Sequence, residues 1–298
     1  HARVHGDGLV AAHAAHFALL QCAQQFALDA HGHGADLVQE DRAAVRRLEA
    51  PDAARVGAPG GVLSTEGNVN NDLGVPLTLT RLNPAEHAFA VIEAGISGPG
   101  EMRVLADMIE PDVALITLVA PAHTQQLGGI EGVAQEKAVL PGAIRPAGVA
   151  IFPEQVAKFA AFRALGVRTM VLAPADVIGT VEPTQDLVHF SVTQRGDSTA
   201  IALASGLPPP LVFTFRRVTD GMAQNAALAI SAALWLGVPR AAIQARLAGW
   251  LPAKLRGEIR REEAVGGEPR EVEVSERCPE RRDGAARRRA RRVSLEKR

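Results

Sequence analysis

Near-continuous apolar runs, separated by stretches with helical spacing, dominate the middle of the chain. The runs 88–95 (AFAVIEAG), 112–119 (DVALITLV), 148–152 (GVAIF) and 167–173 (VRTMVLA) have the character of strands buried on both faces. Helical patterns over 100–109, 131–144 and 154–165 fall between them. This alternation predicts right-handed βαβ units, and so an α/β fold with a mainly parallel sheet flanked by helices. After Asp186 the pattern shortens to the alternating runs 187–194, 198–204 and 211–218, which predict a small antiparallel ribbon on the sheet. An Ala-rich helix over 220–236 and a second over 239–248 close the domain, with Asp220 as the N-cap candidate and Gly237 as the C-terminal stop.

Composition changes this picture mainly at the two ends. The 298 residues are 47% hydrophobic and 22% charged, with a net charge of -1 and a mean hydropathy of +0.05. These values suit one large or two modest domains with a sizeable core. No apolar run approaches the roughly 20 residues of a membrane span, and the 28 Gly and 19 Pro are scattered as turn punctuation. Membrane, collagen-like and wholly disordered classes are excluded. Two cysteines, Cys22 and Cys278, support neither a disulfide framework nor a Cys-based metal site, so a reducing, cytoplasmic setting is expected.

Six of the nine His (His1, His5, His13, His16, His31 and His33) fall in the first 33 residues, and the chain starts with His, so His1 is not expected to be a natural start. Residues 281–298 carry eight Arg, one Lys and two acids, a block that ordinarily stays solvated. The expected organisation is an atypical segment 1–60, a folded domain 61–258, and an Arg-rich tail 259–298. Such a tail could anchor nucleic acid, but only 4% of the chain is aromatic, with no Tyr, so base stacking is unsupported and nucleic acid is not expected as a partner.

Ligands of open α/β sheets bind beyond the carboxyl ends of the strands. Three polar residues stand there: Glu93 near one strand end, His123 just after the next, and Lys137 in the following helix. A strand such as AVIEAG rarely buries a carboxylate without a partner, so Glu93 needs a cation, and a metal is one candidate. Taken alone, His123 reads as a loop histidine and Lys137 as a solvated helix residue. Consecutive βα units nevertheless predict that the three converge, since neighbouring strands lie about 4.8 Å apart. A second cluster, TEGNVNNDLGVP at 65–76, sets Asn68, Asn70 and Asn71 between Gly67 and Gly74, and its composition reads as a turn.

The string TEGNVNNDLGVPLTLTRL, followed in order by AVIEAG, GEM, APAH and EK, resembles the Mur ligase family of ATP-dependent amide ligases in peptidoglycan precursor assembly. The resemblance covers about residues 62–258, the family's central ATPase domain, and is greatest to the members that join D-alanyl-D-alanine to a UDP-N-acetylmuramoyl-tripeptide. It implies ATP and Mg2+ as cofactors, and the UDP-muramyl-peptide and D-alanyl-D-alanine as substrates. By similarity, Glu93 and His123 would be magnesium ligands. Lys137 would match the family lysine that captures carbon dioxide, becoming a carbamate and hence a hard oxygen ligand. Asn68 would lie near the acceptor carboxylate, with Thr65 and Asn71 adjacent. Asn225 would sit beside the adenine, with Gln224 where a basic residue is usual, and Arg256, in LRGE, near the ATP phosphates. The implied chemistry needs no protein nucleophile: ATP phosphorylates a carboxylate, and an amine attacks the acyl phosphate.

The chain departs from the family at both ends. Where a phosphate-binding loop close to T-G-S-x-G-K-T-S-T-K is expected, AHGHGADLVQEDRAAVRRL stands, with no lysine for the phosphates. The uridine-nucleotide domain and the third domain are unrecognisable, and resemblance ends near Glu258. Back-translating His31 to Glu40 and shifting the frame by one base permits Thr-Gly-Thr-Gly-(Arg or Gln)-Thr-Ser-Ser-Lys. Residues 1–60 and about 262–298 are therefore expected to be frameshifted translation around an authentic core, giving a truncated or impaired ligase. The alternative expectation is a non-catalytic nucleotide- or precursor-binding remnant.

Overall fold

Two-residue alternation along the strands puts apolar side chains on both faces of one sheet, and each face has its own core. In the computed structural model, residues 42–47, 61–67, 69–176, 185–205, 209–250, 258–262 and 270–274 are described. The strands are β1 (Arg42–Arg47), β2 (Gly61–Ser64), β3 (His87–Glu93), β4 (Val113–Ile116), β5 (Val149–Pro153), β6 (Thr169–Pro174), β7 (Gln185–Arg195), β8 (Ser198–Ala204), β9 (Leu211–Arg216), β10 (Glu258–Glu262) and β11 (Arg270–Val274). The helices are α1 (Gly74–Leu79), α2 (Glu101–Ile109), α3 (Thr124–Leu127), α4 (Ile130–Gly142), α5 (Glu154–Ala157), α6 (Ala160–Arg163), α7 (Asp220–Trp235) and α8 (Arg240–Ala248).

Nine strands form one sheet in the order β2-β3-β1-β4-β5-β6-β7-β8-β9. β2 pairs parallel with β3, β4 through β7 are parallel, and β8 and β9 add the antiparallel ribbon. Val91, Val113, Leu115, Val149 and Ile151 join the core under α7 and α8. Their neighbours Ala90, Ile92, Ala114, Ile116, Ala150 and Phe152 join the core under α2 and α4. The expected α/β class with helices on both faces is what the chain adopts.

Three local expectations are corrected. The helix expected over 154–165 is two short helices, because Phe159 is extended (φ -77, ψ 137). Phe162 of α6 packs edge-on against Phe152 at 5.2 Å between centroids. The N-cap of α7 is Thr219, not Asp220: its side chain accepts the Met222 N–H at 3.4 Å, and Asp220 falls in the first turn, where its charge suits the helix dipole. The third correction is topological. RAAVRR, inside the segment set apart as atypical, forms β1 in the middle of the sheet, antiparallel to both β3 and β4. Three arginines in six residues hide it from any hydrophobicity pattern, although Ala44 is fully buried.

Gly237 does terminate α7. It lies at φ 81, donates to Leu234, and is followed by a Val238 to Ala233 bond, the paired pattern of a left-handed cap. Starting at the last residue of the expected domain and running into the expected tail, β10 and β11 form an antiparallel pair from Glu258 opposite Val274 to Glu262 opposite Arg270. The His-rich start, Asn68, Arg256, both cysteines and the Arg block lie outside the described residues. No helix among the described residues is long and apolar enough to cross a membrane. Removing the cap with Thr219→Ala should cost about 1 kcal/mol, read as a melting point lower by roughly 2–4 °C.

Candidate functional site

Glu93 is the last residue of β3 and is 3% exposed, so its carboxylate is held by neighbours rather than by water. Beyond Ser64 the chain crosses the end of β3, turning at Gly67 with φ 59. Thr65 donates its N–H to the Val91 carbonyl at 3.1 Å, and its hydroxyl accepts the Glu93 N–H at 3.0 Å. Asn70 donates from Nδ2 to Glu93 Oε1 at 2.6 Å. Asn71 Oδ1 accepts the N–H groups of Leu73 at 3.3 Å and Gly74 at 2.9 Å, which caps α1. Two residues expected on the substrate side, Thr65 and Asn71, thus shape the loop by fixing β3 and α1. Asn70, which reads as a turn residue from composition, donates to the Glu93 carboxylate itself. Directly after Thr65 in the chain, Glu66 pairs in solvent with Arg81 at 2.7 Å. That hydrogen bond first, and the guanidinium charge second, hold the Glu66 carboxyl below its ordinary range. The stability it contributes is present above the ordinary glutamate range, is lost as pH falls through the lowered value, and is screened by salt.

The second half of the site follows β4. His123 adopts the left-handed conformation (φ 49, ψ 29) at the start of α3, and its buried Nε2 has no hydrogen-bond partner among the described residues. Backbone strain and an orphaned ring nitrogen in one residue are features of functional positions. Gly128 and Gly129, at φ 75 and φ 96, turn the chain into α4. There Lys137 is 1% exposed, and its Nζ donates to the Leu118 carbonyl at 2.7 Å. The lysine is buried, not solvated, and its ammonium reaches back to the chain just beyond β4. Glu136 beside it accepts the Met102 N–H at 2.9 Å, tying α4 to the first turn of α2.

The expected adjacency of these halves needs correction. Glu93 and Leu115 both pair with Ala43, so β1 separates β3 from β4. The two strands lie two spacings apart, about 9.6 Å, rather than one. Asn225 is half-buried in the second turn of α7. The start of that helix is tied to β7 by Gln194, whose Nε2 donates to the Val218 carbonyl and to Asp220, both at 3.0 Å.

With this geometry in place, comparison with known proteins is decisive for ancestry: residues 49–201 match the Mur ligase middle domain. The chain belongs to the Mur ligase family. Over 118 residues it is 40% identical to the UDP-N-acetylmuramoyl-tripeptide–D-alanyl-D-alanine ligase of Haemophilus influenzae, a stretch covering 40% of this chain and 24% of that protein. Against the enzyme of the same name from Escherichia coli it is 40% identical over 99 residues, 33% of this chain and 22% of the other. A crystal structure of MurF from Acinetobacter baumannii superposes with a TM-score of 0.54 at 27% identity, over 70% of this chain and 44% of that one. The chain thus spans less than a quarter of these curated ligases in alignment and under half of the solved one.

The Mur ligase donor set can be tested against these side chains for magnesium, which takes hard oxygen ligands. The buried Glu93 carboxylate offers hard oxygen atoms of that kind. His123 Nε2, buried and unbonded among the described residues, offers one more lone pair. Lys137 as an ammonium would repel the ion and fits only as a carbamate. Among the described residues no three His, Cys, Asp or Glu side chains group to hold a metal, so the set fits only with Lys137 modified.

Proposed function

We propose that this chain carries the central ATP-binding domain of an ATP-dependent carbon–nitrogen ligase of cytoplasmic peptidoglycan precursor synthesis. The reaction would join D-alanyl-D-alanine to a UDP-N-acetylmuramoyl-tripeptide through an acyl phosphate. The observation that supports it best is the Glu93 cluster at the carboxyl edge of the sheet, built by the same TEGNVNN loop that carries the likeness to ligases of that name. Glu93, His123 and carbamylated Lys137 would hold magnesium, which when bound neutralises charge on a transferring phosphoryl group. Asn225 would meet the adenine and Arg256 the phosphates. Thr65, Asn68 and Asn71 belong to the loop bordering the acceptor carboxylate, where the bonds of Thr65 and Asn71 set the loop's shape.

A second reading, a non-catalytic remnant that binds nucleotide or precursor, is favoured by one observation: the segment AHGHGADLVQEDRAAVRRL contains no lysine. The test is to graft residues 61–258 in place of the matching segment of the Escherichia coli ligase. Phosphate release should then depend on ATP, the muramyl-tripeptide and D-alanyl-D-alanine together. A folded graft that binds the precursor and releases no phosphate would show that residues 61–258 have themselves lost the chemistry; a graft that releases phosphate, beside an unaltered chain that binds the precursor and releases none, would make the chain a remnant through its first 60 residues.

A further inference from the structure

We propose that Asn70 is a positioning residue for the Glu93 carboxylate and that Gly95 is a glycine because Asn70 occupies the space beside it; this rests on the reading of Glu93 as a metal ligand. A carboxylate only accepts hydrogen bonds, so the amide facing it must present its NH2. The 2.6 Å contact to Oε1 is short and charge-assisted, which sets the plane of the carboxylate. Asn70 is itself clamped to the strand end, since its carbonyl accepts the Gly95 N–H at 2.8 Å. A Cβ on Gly95 would lie 2.7 Å from Asn70 Oδ1 and 2.9 Å from Nδ2, inside any real contact. With Thr65 holding the Glu93 N–H, both the backbone and one carboxylate oxygen of Glu93 are fixed before any ion arrives. A neutral amide does this without cancelling the charge that attracts a cation. Partners that orient metal ligands in this way contribute roughly 10- to 100-fold in metal affinity.

The probe is manganese, a paramagnetic substitute for magnesium, titrated into the intact chain in air-equilibrated neutral buffer, whose dissolved carbon dioxide supplies the carbamate without precipitating the metal, without nucleotide, and followed by the resonance of the free ion. Glu93→Gln should abolish the site. Asn70→Ala should weaken binding roughly 10- to 100-fold. Gly95→Ala should do likewise, because its methyl displaces the amide while Asn70 and Glu93 both remain. In the Glu93→Gln background, Asn70→Ala should add nothing, whereas a purely structural role would lower the melting point without this dependence on Glu93. Wild-type affinity in Asn70→Ala and Gly95→Ala, alongside loss in Glu93→Gln, overturns the positioning role and leaves the metal reading standing. Unchanged binding in Glu93→Gln overturns the metal reading itself, and the positioning role with it.

Discussion

Calorimetry should find that the chain as it stands binds magnesium-ATP at least a thousandfold more weakly than a ligase with an intact phosphate loop. Such a loop offers several backbone amides and a lysine to the phosphates, each charge-assisted bond contributing on the order of 1.5–3 kcal/mol. Losing three or four forfeits roughly 4 to 12 kcal/mol, and about 4 kcal/mol already corresponds to a thousandfold. The sheet adds a second reason. A phosphate loop leaves the carboxyl end of a strand and enters a helix. β1, lodged between β3 and β4, runs the other way and brings Arg42, which pairs with Ile116, to the edge where Glu93 lies. Its carboxyl end, Arg47, pairs with Phe89 at the far side. Replacing residues 1–60 with a segment carrying an in-frame loop should restore binding, and Lys137→Ala in that protein should then abolish phosphoryl transfer. Micromolar affinity in the unaltered chain would show that phosphates are held by another route.

How far the fold was legible depended on whether an element advertises itself by apolar content. β3 through β6 did, because strands covered on both faces must be apolar throughout, and the ribbon did through alternation. β1 did not: RAAVRR has a strand's backbone and a solvated segment's composition. Its presence alters the site, since it doubles the separation of the strands bearing Glu93 and leading to His123. Lys137 could have been placed in the core from sequence. It falls four residues after Val133 and three before Leu140, both buried on the inner side of α4, where a solvated lysine would break the stripe. Asn70 was less accessible, because an Asn/Gly-rich run reads as a turn, and nothing in spacing pairs it with a carboxylate 23 residues later. The strain at His123 is a backbone property that no side-chain pattern reports.

The joint between His123 and Lys137 should be intolerant of a single methyl group at one glycine and indifferent to it at another. A Cβ at Gly132, early in α4, would lie 1.6 Å from the Leu127 carbonyl oxygen, a backbone atom that no rotamer change can move aside. Either α3 or α4 must shift. Overpacking of this kind costs about 1–3 kcal/mol and occasionally more, and a backbone clash so close belongs at the upper end. Gly132→Ala should therefore lower the melting point by roughly 6–12 °C, at 2–4 °C per kcal/mol for a domain of this size. Among the described residues, Gly142, at the end of the same helix, would meet only Leu165 Cδ2 at 3.9 Å. There alanine should leave stability unchanged or raise it by up to about 1 kcal/mol, since alanine loses less backbone freedom on folding. The two substitutions are chemically identical and share a helix, so a difference between them isolates the packing of α3 on α4. Leu127 closes the helix that His123 opens, so the shift that relieves the clash moves the imidazole relative to Lys137. Manganese affinity should then fall in Gly132→Ala at temperatures well below its melting point, and hold in Gly142→Ala. Equal melting points for the two variants would refute the clash. Wild-type manganese binding in a destabilised Gly132→Ala would confine its effect to packing and detach His123 from the metal site.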